Sequence, residues 1–253
     1  MTALTLSSAN ISFRPVAGVK VAPLQREFRG AWIATVNNID WPSHPNLTTS
    51  QQQKELRTLI GRAAALRLNC VIFQVRPACD ALYVSQIEPW SEYLTGKMGR
   101  APKPAWDPLA FAIGEAHRQG MELHAWFNPY RARYKGAKSA VATNHISRTQ
   151  PALVKAYNGF QWLDPAEAAA RAHSLRVILD VVRRYDVDGI HIDDYFYPYP
   201  DKKHTAFPDD ASWKKYSGNM ARNDWRRMHI NNFIRQINTE THRVKPWVKF
   251  GVS

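Results

Sequence analysis

Apolar residues recur along this chain in two alternating rhythms. Short runs rich in β-branched and aromatic residues are followed by stretches in which apolar residues return every three to four positions. The short runs predict strands over 28–36, 69–77, 121–128, 160–164, 187–194 and 247–253. Between them, the stripes Leu56, Leu59, Ile60 and Ala63; Leu109, Ala112, Ile113 and Ala116; Ala168, Ala172, Leu175, Leu179 and Val182; and Ile230, Phe233, Ile234 and Ile237 predict helices. A weaker helical pattern covers 151–157. Asp107-Pro108 and Asp164-Pro165 each place an aspartate at an N-cap and a proline at the first helical position, the second with Glu167 as a capping-box partner. Gly120 stands where a helix-closing glycine belongs. Strands alternating with helices predict an α/β fold with a parallel sheet, of the (β/α)8 TIM-barrel type, with about six of the eight strands present. Residues 28–253 are expected to form this barrel domain, incomplete at its C-terminus, and residues 1–27 an N-terminal extension.

Alternation within the strands sorts side chains between the helix layer and the barrel axis. Leu123, Ala125 and Phe127 oppose His124, Trp126 and Asn128; Val71, Phe73 and Val75 oppose Cys70, Ile72, Gln74 and Arg76; Ile190 and Ile192 oppose His191 and Asp193. The axis-facing set becomes more polar toward the C-terminal strand ends, where barrel enzymes hold their sites. Burying such groups is costly unless they serve a function or satisfy one another. Asp193 is therefore expected in the barrel mouth beside Arg76, His124 and Asn128. Asp193 and Asp194 are the candidate catalytic carboxylates, with Asp164 as a third at the end of another predicted strand. Gln74, Arg76, His124, Asn128 and His191 are candidates for orienting substrate. Trp32, Trp126, Tyr130 and Tyr195 offer the apolar faces with polar edges that suit a sugar ring.

Composition narrows the choice. The 253 residues are 45% hydrophobic and 11% aromatic, ample for a core. No apolar run approaches the ~18 residues of a membrane span, and residues 1–24 show no signal-peptide pattern. Cys70 and Cys79 flank one predicted strand, too far apart to bridge. The net charge is +13, over half of it from 202–249, where eleven Lys/Arg face four Asp/Glu. A solvated basic surface accounts for this, attraction to an anionic polymer is the functional alternative, and no nucleic-acid-binding motif accompanies it. No histidine pair stands at i, i+2 or i, i+4, and there is no G-x-S-x-G, Walker A or G-x-G-x-x-G, so neither a metal nor a cofactor is expected. What remains is acid–base hydrolysis by carboxylates or binding without catalysis; a metal-dependent polysaccharide deacetylase lacks the expected histidine spacing.

The blocks "RGAWIATVNNIDWP" at 29–42, "VIFQVRP" at 71–77, "HAWFNPYR" at 124–131, "WLDP" at 162–165, "VDGIHIDDYFYP" at 187–198 and "FGVS" at 250–253 resemble, in order, the glycosyl-hydrolase-like family 10. Arg131, which closes the block at 124–131, joins the substrate-binding candidates. The resemblance implies a barrel that hydrolyses O-glycosidic bonds of a bacterial cell-envelope polysaccharide, with peptidoglycan glycan strands as the substrate class. Members of the family usually carry a signal peptide or lipid anchor and continue past the "FGVS" strand. The chain is thus expected to be a C-terminally truncated fragment, exposed to the loss of a catalytic carboxylate beyond Ser253.

Overall fold

The computed structural model describes residues 27–203 and 205–253; the expected extension over 1–27 lies, but for its last residue, outside them. The elements run β1 (Gly30–Ile33), α1 (Thr49–Ala65), β2 (Cys70–Arg76), α2 (Glu92–Thr95), α3 (Pro108–Arg118), β3 (Glu122–Phe127) and β4 (Arg131–Arg133). They continue with α4 (Ile146–Thr149), β5 (Val154–Tyr157), β6 (Phe160–Leu163), α5 (Ala168–Arg184), β7 (Gly189–Ile192), α6 (Asp210–Tyr216), α7 (Arg222–Val244) and β8 (Lys249–Val252). Strands β1, β2, β3, β7 and β8 pair in that order, all parallel, in one sheet. Crossovers through α1, α3, α5 and α7 make the βα units the hydrophobic rhythm predicts. Within the described residues the sheet is open, with β1 and β8 at its edges.

One expected barrel strand belongs elsewhere. The segment 160–164 is β6, the middle strand of a separate antiparallel sheet ordered β4-β6-β5, so among the described residues the parallel sheet holds five strands and not six. The weak helix expected over 151–157 is a short 3-10 turn followed by β5. The reason is the turn Asn158-Gly159, where both residues have positive φ (46° and 77°) and Tyr157 pairs with Phe160 across it. Asn-Gly in this conformation makes the two-residue hairpin whose twist matches its strands, and it overrides the helical pattern. The small sheet sits at the C-terminal end of β3, because β4 begins four residues after β3 ends; Trp162 Nε1 ties it to the carbonyl of Phe196, beyond β7, at 2.8 Å.

Helix ends follow the sequence signals in one case of two. Asp107 caps α3, its carboxylate accepting from the Ala110 N–H at 3.1 Å, and Gly120 (φ 70°) closes that helix. Asp164 does not cap α5, which starts at Ala168 with Glu167 in the N-cap position and no side-chain cap.

The predicted alternation places the core. Val71, Phe73, Val75, Leu123, Ala125, Phe127, Ile190 and Ile192 pack with the stripes of α1, α3, α5 and α7 in one buried cluster. On the other face, Cys70, Ile72 and Trp126 form a smaller cluster. Two glycines allow that face to hold imidazoles: a Cβ on Gly189 would lie 2.6 Å from the His124 ring, and one on Gly251 2.9 Å from His191. Each histidine therefore lies over the bare backbone of the next strand. Cys70 and Cys79 are buried free thiols. Several basic residues of 202–249 lie in ion pairs, Arg222 and Arg226 with Asp209 of the same segment and Lys249 with Glu122 outside it. No helix of the described residues is long and apolar enough to cross a membrane.

Candidate active site

Asp193 follows the last residue of β7 and turns its carboxylate to the axis side of the sheet, 7% exposed. It is reached by a chain of amides from the neighbouring strand ends. Gln74 on β2 is fully buried; its Oε1 accepts from the backbone N–H groups of Thr35 and Val36, each at 2.8 Å. Gln74 Nε2 donates to Asn128 Oδ1 at 2.5 Å, and Asn128 Nδ2 donates to Asp193 Oδ2. Thr35, Gln74 and Asn128 are all at 0% exposure, so this chain is dry.

The other carboxylate oxygen is unengaged. Asp193 Oδ1, Trp126 Nε1 and His191 Nε2 are buried and have no hydrogen-bond partner. Trp126 and His191 are register partners on β3 and β7, and the Trp32 ring meets both edge-on, with centroids 4.6 and 4.5 Å away. Trp32 itself is 40% exposed. Buried polar atoms left open beside an exposed aromatic face are what a polar ligand would complete.

Burial raises the Asp193 pKa above the usual carboxylate range, against the lowering pull of Arg131, Asn128, the Tyr195 backbone N–H and the Trp126 indole. The indole N–H favours the charged form without completing a hydrogen bond. Burial, helped by His124, pulls the His191 imidazole down to about 4, so it is neutral at neutral pH. Arg131, on β4, is held by its Nε donating to the Pro77 carbonyl at 2.7 Å, with its guanidinium 5.5 Å from the Tyr195 ring centroid. Burial lowers its pKa, but an arginine remains charged. Its electrostatic partners include Asp193 and Asp80.

Asp80 is a site neighbour that the strand patterns do not single out. It lies in the segment after β2, 1% exposed, and accepts from the Ala78 N–H at 2.9 Å. Burial pushes its carboxyl up to about 6, partly offset by Ser91 and the Ala78 N–H. Its position four residues past a strand end is the available signal; apolar neighbours mask it.

Several predicted residues do not join this group. Arg76 follows an irregularity in β2 where Gln74 pairs with Trp126 but Arg76 pairs with Phe127, which turns Arg76 from the axis to the helix layer. There its guanidinium binds both Glu88 oxygens, at 2.8 and 2.6 Å, and the Asn128 carbonyl at 2.7 Å, so it is a buried structural cation and not a neighbour of Asp193. Tyr130 is fully buried in the main core, its ring 5.3 Å from that of Phe233. His124 lies four residues before Asn128 on the same face, ~13 Å down the strand, and bonds Glu122 at 3.1 Å. Cys70, Glu122 and His124 bring ligand-type atoms within 4.8 Å of one another there, but Glu122 is already satisfied by His124 and by Lys249 at 2.5 Å. Asp194 points outward, exposed, and accepts from the Tyr199 hydroxyl.

Asp164 is sealed at 0% exposure, accepting from Ser212 Oγ at 2.6 Å and the Ala166 N–H at 3.0 Å. This ties α6 to the end of β6 and takes the place of the expected helix cap. Asp164→Ala is expected to cost ~1–3 kcal/mol by leaving those donors unpaired. Urea unfolding should show that loss, while turnover per folded molecule stays within a few-fold of wild type.

Residues 27–253 match the family described as Glycosyl hydrolase-like 10. The chain belongs to that family. It is 42% identical over 235 residues to the glycosyl hydrolase YngK of Bacillus subtilis, covering 92% of this chain and 46% of the relative. It is 36% identical over 243 residues to the glycosyl hydrolase DigH of Escherichia coli K12, covering 89% of this chain and 54% of the relative. The chain thus spans about half the length of these curated family members. Among solved structures, an alpha-L-fucosidase from Paenibacillus thiaminolyticus superposes with a TM-score of 0.57 at 13% identity, over 89% of this chain and 32% of that one. The alpha-galactosidase of Lactobacillus brevis gives 0.51 at 13% identity, over 90% and 27%. These likenesses bear on the fold and agree with the parallel sheet of a barrel.

Proposed function

We propose that this protein hydrolyses O-glycosidic bonds of a cell-envelope polysaccharide, with peptidoglycan glycan strands as the substrate and Asp193 as the acid/base carboxylate. The observation that carries this reading is the state of Asp193: buried at a strand end, raised in pKa, one oxygen held by Asn128 and the other free. A carboxyl that holds its proton more tightly than an ordinary aspartate is suited to donate to a leaving oxygen and later accept from water. Trp32 supplies an apolar platform for a sugar ring, and Arg131 with Tyr195 borders the carboxylate. Membership of a family whose named relatives are glycosyl hydrolases supports the same reaction class.

Binding without turnover is the second reading, favoured by the outward position of Asp194, which leaves Asp193 without a second carboxylate from the adjacent residue. Purified peptidoglycan glycan strands, incubated with the protein, are expected to gain reducing ends over time. Saturable binding with no new reducing ends would favour the second reading.

A further inference from the structure

We propose that Gln74 is a positioning residue: its locked amide dictates the orientation of Asn128, so that an N–H and not a carbonyl faces one chosen oxygen of Asp193. Donors and acceptors alone establish the order. Two backbone N–H groups, Thr35 and Val36, converge on one atom of the Gln74 amide, which only its oxygen can satisfy, while the Thr35 hydroxyl donates to the Gln74 backbone carbonyl at 2.9 Å. Its nitrogen is then the atom that meets Asn128. A nitrogen there requires the Asn128 oxygen, and that leaves the Asn128 nitrogen for Asp193 Oδ2. Every link is buried, so no water can substitute, and the polarity set by the turn after β1 is carried across β2 and β3 to the end of β7.

The consequence is a division of labour between the two carboxylate oxygens. Oδ2 is held and stabilised as an acceptor, while Oδ1 is buried without a hydrogen-bond partner. Other groups acting on Asp193 are Arg131 from β4, the Trp126 indole from β3, and Tyr195 and Tyr199 from its own loop; of the described hydrogen bonds to its carboxylate, the one from Asn128 goes to Oδ2. That Oδ1 is the oxygen used in chemistry rests on the glycosidase reading. The relay itself does not.

The decisive variant is Gln74→Glu. The introduced carboxyl still accepts from Thr35 and Val36 and, at a pH above its own titration, presents a bare oxygen to Asn128 Oδ1. The Asn128 amide must then turn over and aim its oxygen at Asp193. The titration midpoint of Asp193 is read by carbon-13 NMR of labelled aspartate carboxyls and assigned by the signal lost in Asp193→Asn. It should rise by about one pH unit or more, the size of losing a hydrogen-bonded N–H to an anion. The added charge alone would raise the midpoint too, so the same substitution is also made in an Asn128→Leu background, where no amide can turn. There the rise should be clearly smaller. Equal rises in the two backgrounds, or none in either, would overturn the proposal. If Gln74→Glu does not fold, Asn128→Leu alone decides: an unchanged Asp193 midpoint sinks the relay. Because the readout needs no substrate, failure of the relay and failure of the glycosidase reading are separable.

Discussion

Asp193→Asn is expected to lower turnover of glycan strands by at least ~10²-fold, the low end for loss of an acid–base group, without weakening the fold. The two halves of this prediction have one cause. Burial raises the carboxyl pKa, so the folded protein holds that proton more tightly than the unfolded chain does. For such a group, stability falls as pH rises from the ordinary value near ~3.9 through the raised folded value. The ionised form of Asp193 is thus the one that burial penalises, and a neutral amide of the same shape removes that cost. An asparagine can still accept from Asn128 through its own oxygen. Thermal unfolding at pH 7 should place the variant at or above wild type, while a reducing-end assay shows the loss of rate. Near-wild-type turnover would remove Asp193 from the chemistry, whereas a large drop in melting temperature would contradict the assignment of its pKa to burial.

Glu88→Ala is expected to destabilise the protein more than Asp164→Ala does, by ~3–5 kcal/mol, the cost of leaving a buried charge without its partner. Arg76 and Glu88 side chains are each 1% exposed and bonded through two contacts. The His173 imidazole donates to the same carboxylate at 2.8 Å, and Cys79 Sγ lies 3.1 Å from the guanidinium. An arginine cannot relieve its burial by shedding a proton, so truncating Glu88 forces the segment after β2 to part from α5 and admit water. Urea unfolding at pH 7 measures the loss. Burial alone would raise the Glu88 pKa, but Arg76 and His173 outweigh it and hold it down to about 2. A depressed carboxylate stabilises above its unfolded pKa, and that contribution fades as pH falls from about 4.5 toward 2. The gap between wild type and variant should narrow over that same interval; a gap independent of pH there would show that packing, not charge, carries the effect.

Sequence patterns are of unequal value at these positions. Period-two alternation puts Trp126, Asn128, His191 and Asp193 on one face, and the structure keeps them there, because a strand paired on both sides cannot slip without exposing its whole apolar set. The same rule fails at Arg76. One irregularity in register after Gln74 moves Arg76 from the axis to the helix layer, and nothing in "FQVRP" marks where the count breaks. Asp164 and Tyr130 depart for another reason: a residue at a strand end can be sealed by a later element, here α6 over Asp164 and α7 over Tyr130. The Asn158-Gly159 hairpin, by contrast, is legible in the sequence, where a weak helical stripe competes with it.

The sequence by itself determined the class of fold, the faces of the strands and helices, and the family, since these depend on local periodicity and on short blocks that survive as linear text. Only the tertiary structure decided which carboxylate is buried with a free oxygen, which arginine is held in an ion pair, and which way two amides point. Those are properties of groups brought together from β1, β2, β3 and β7. A carboxyl's protonation and an amide's orientation are set by the donors, charges and water around them, and none of these is fixed until the strands lie side by side.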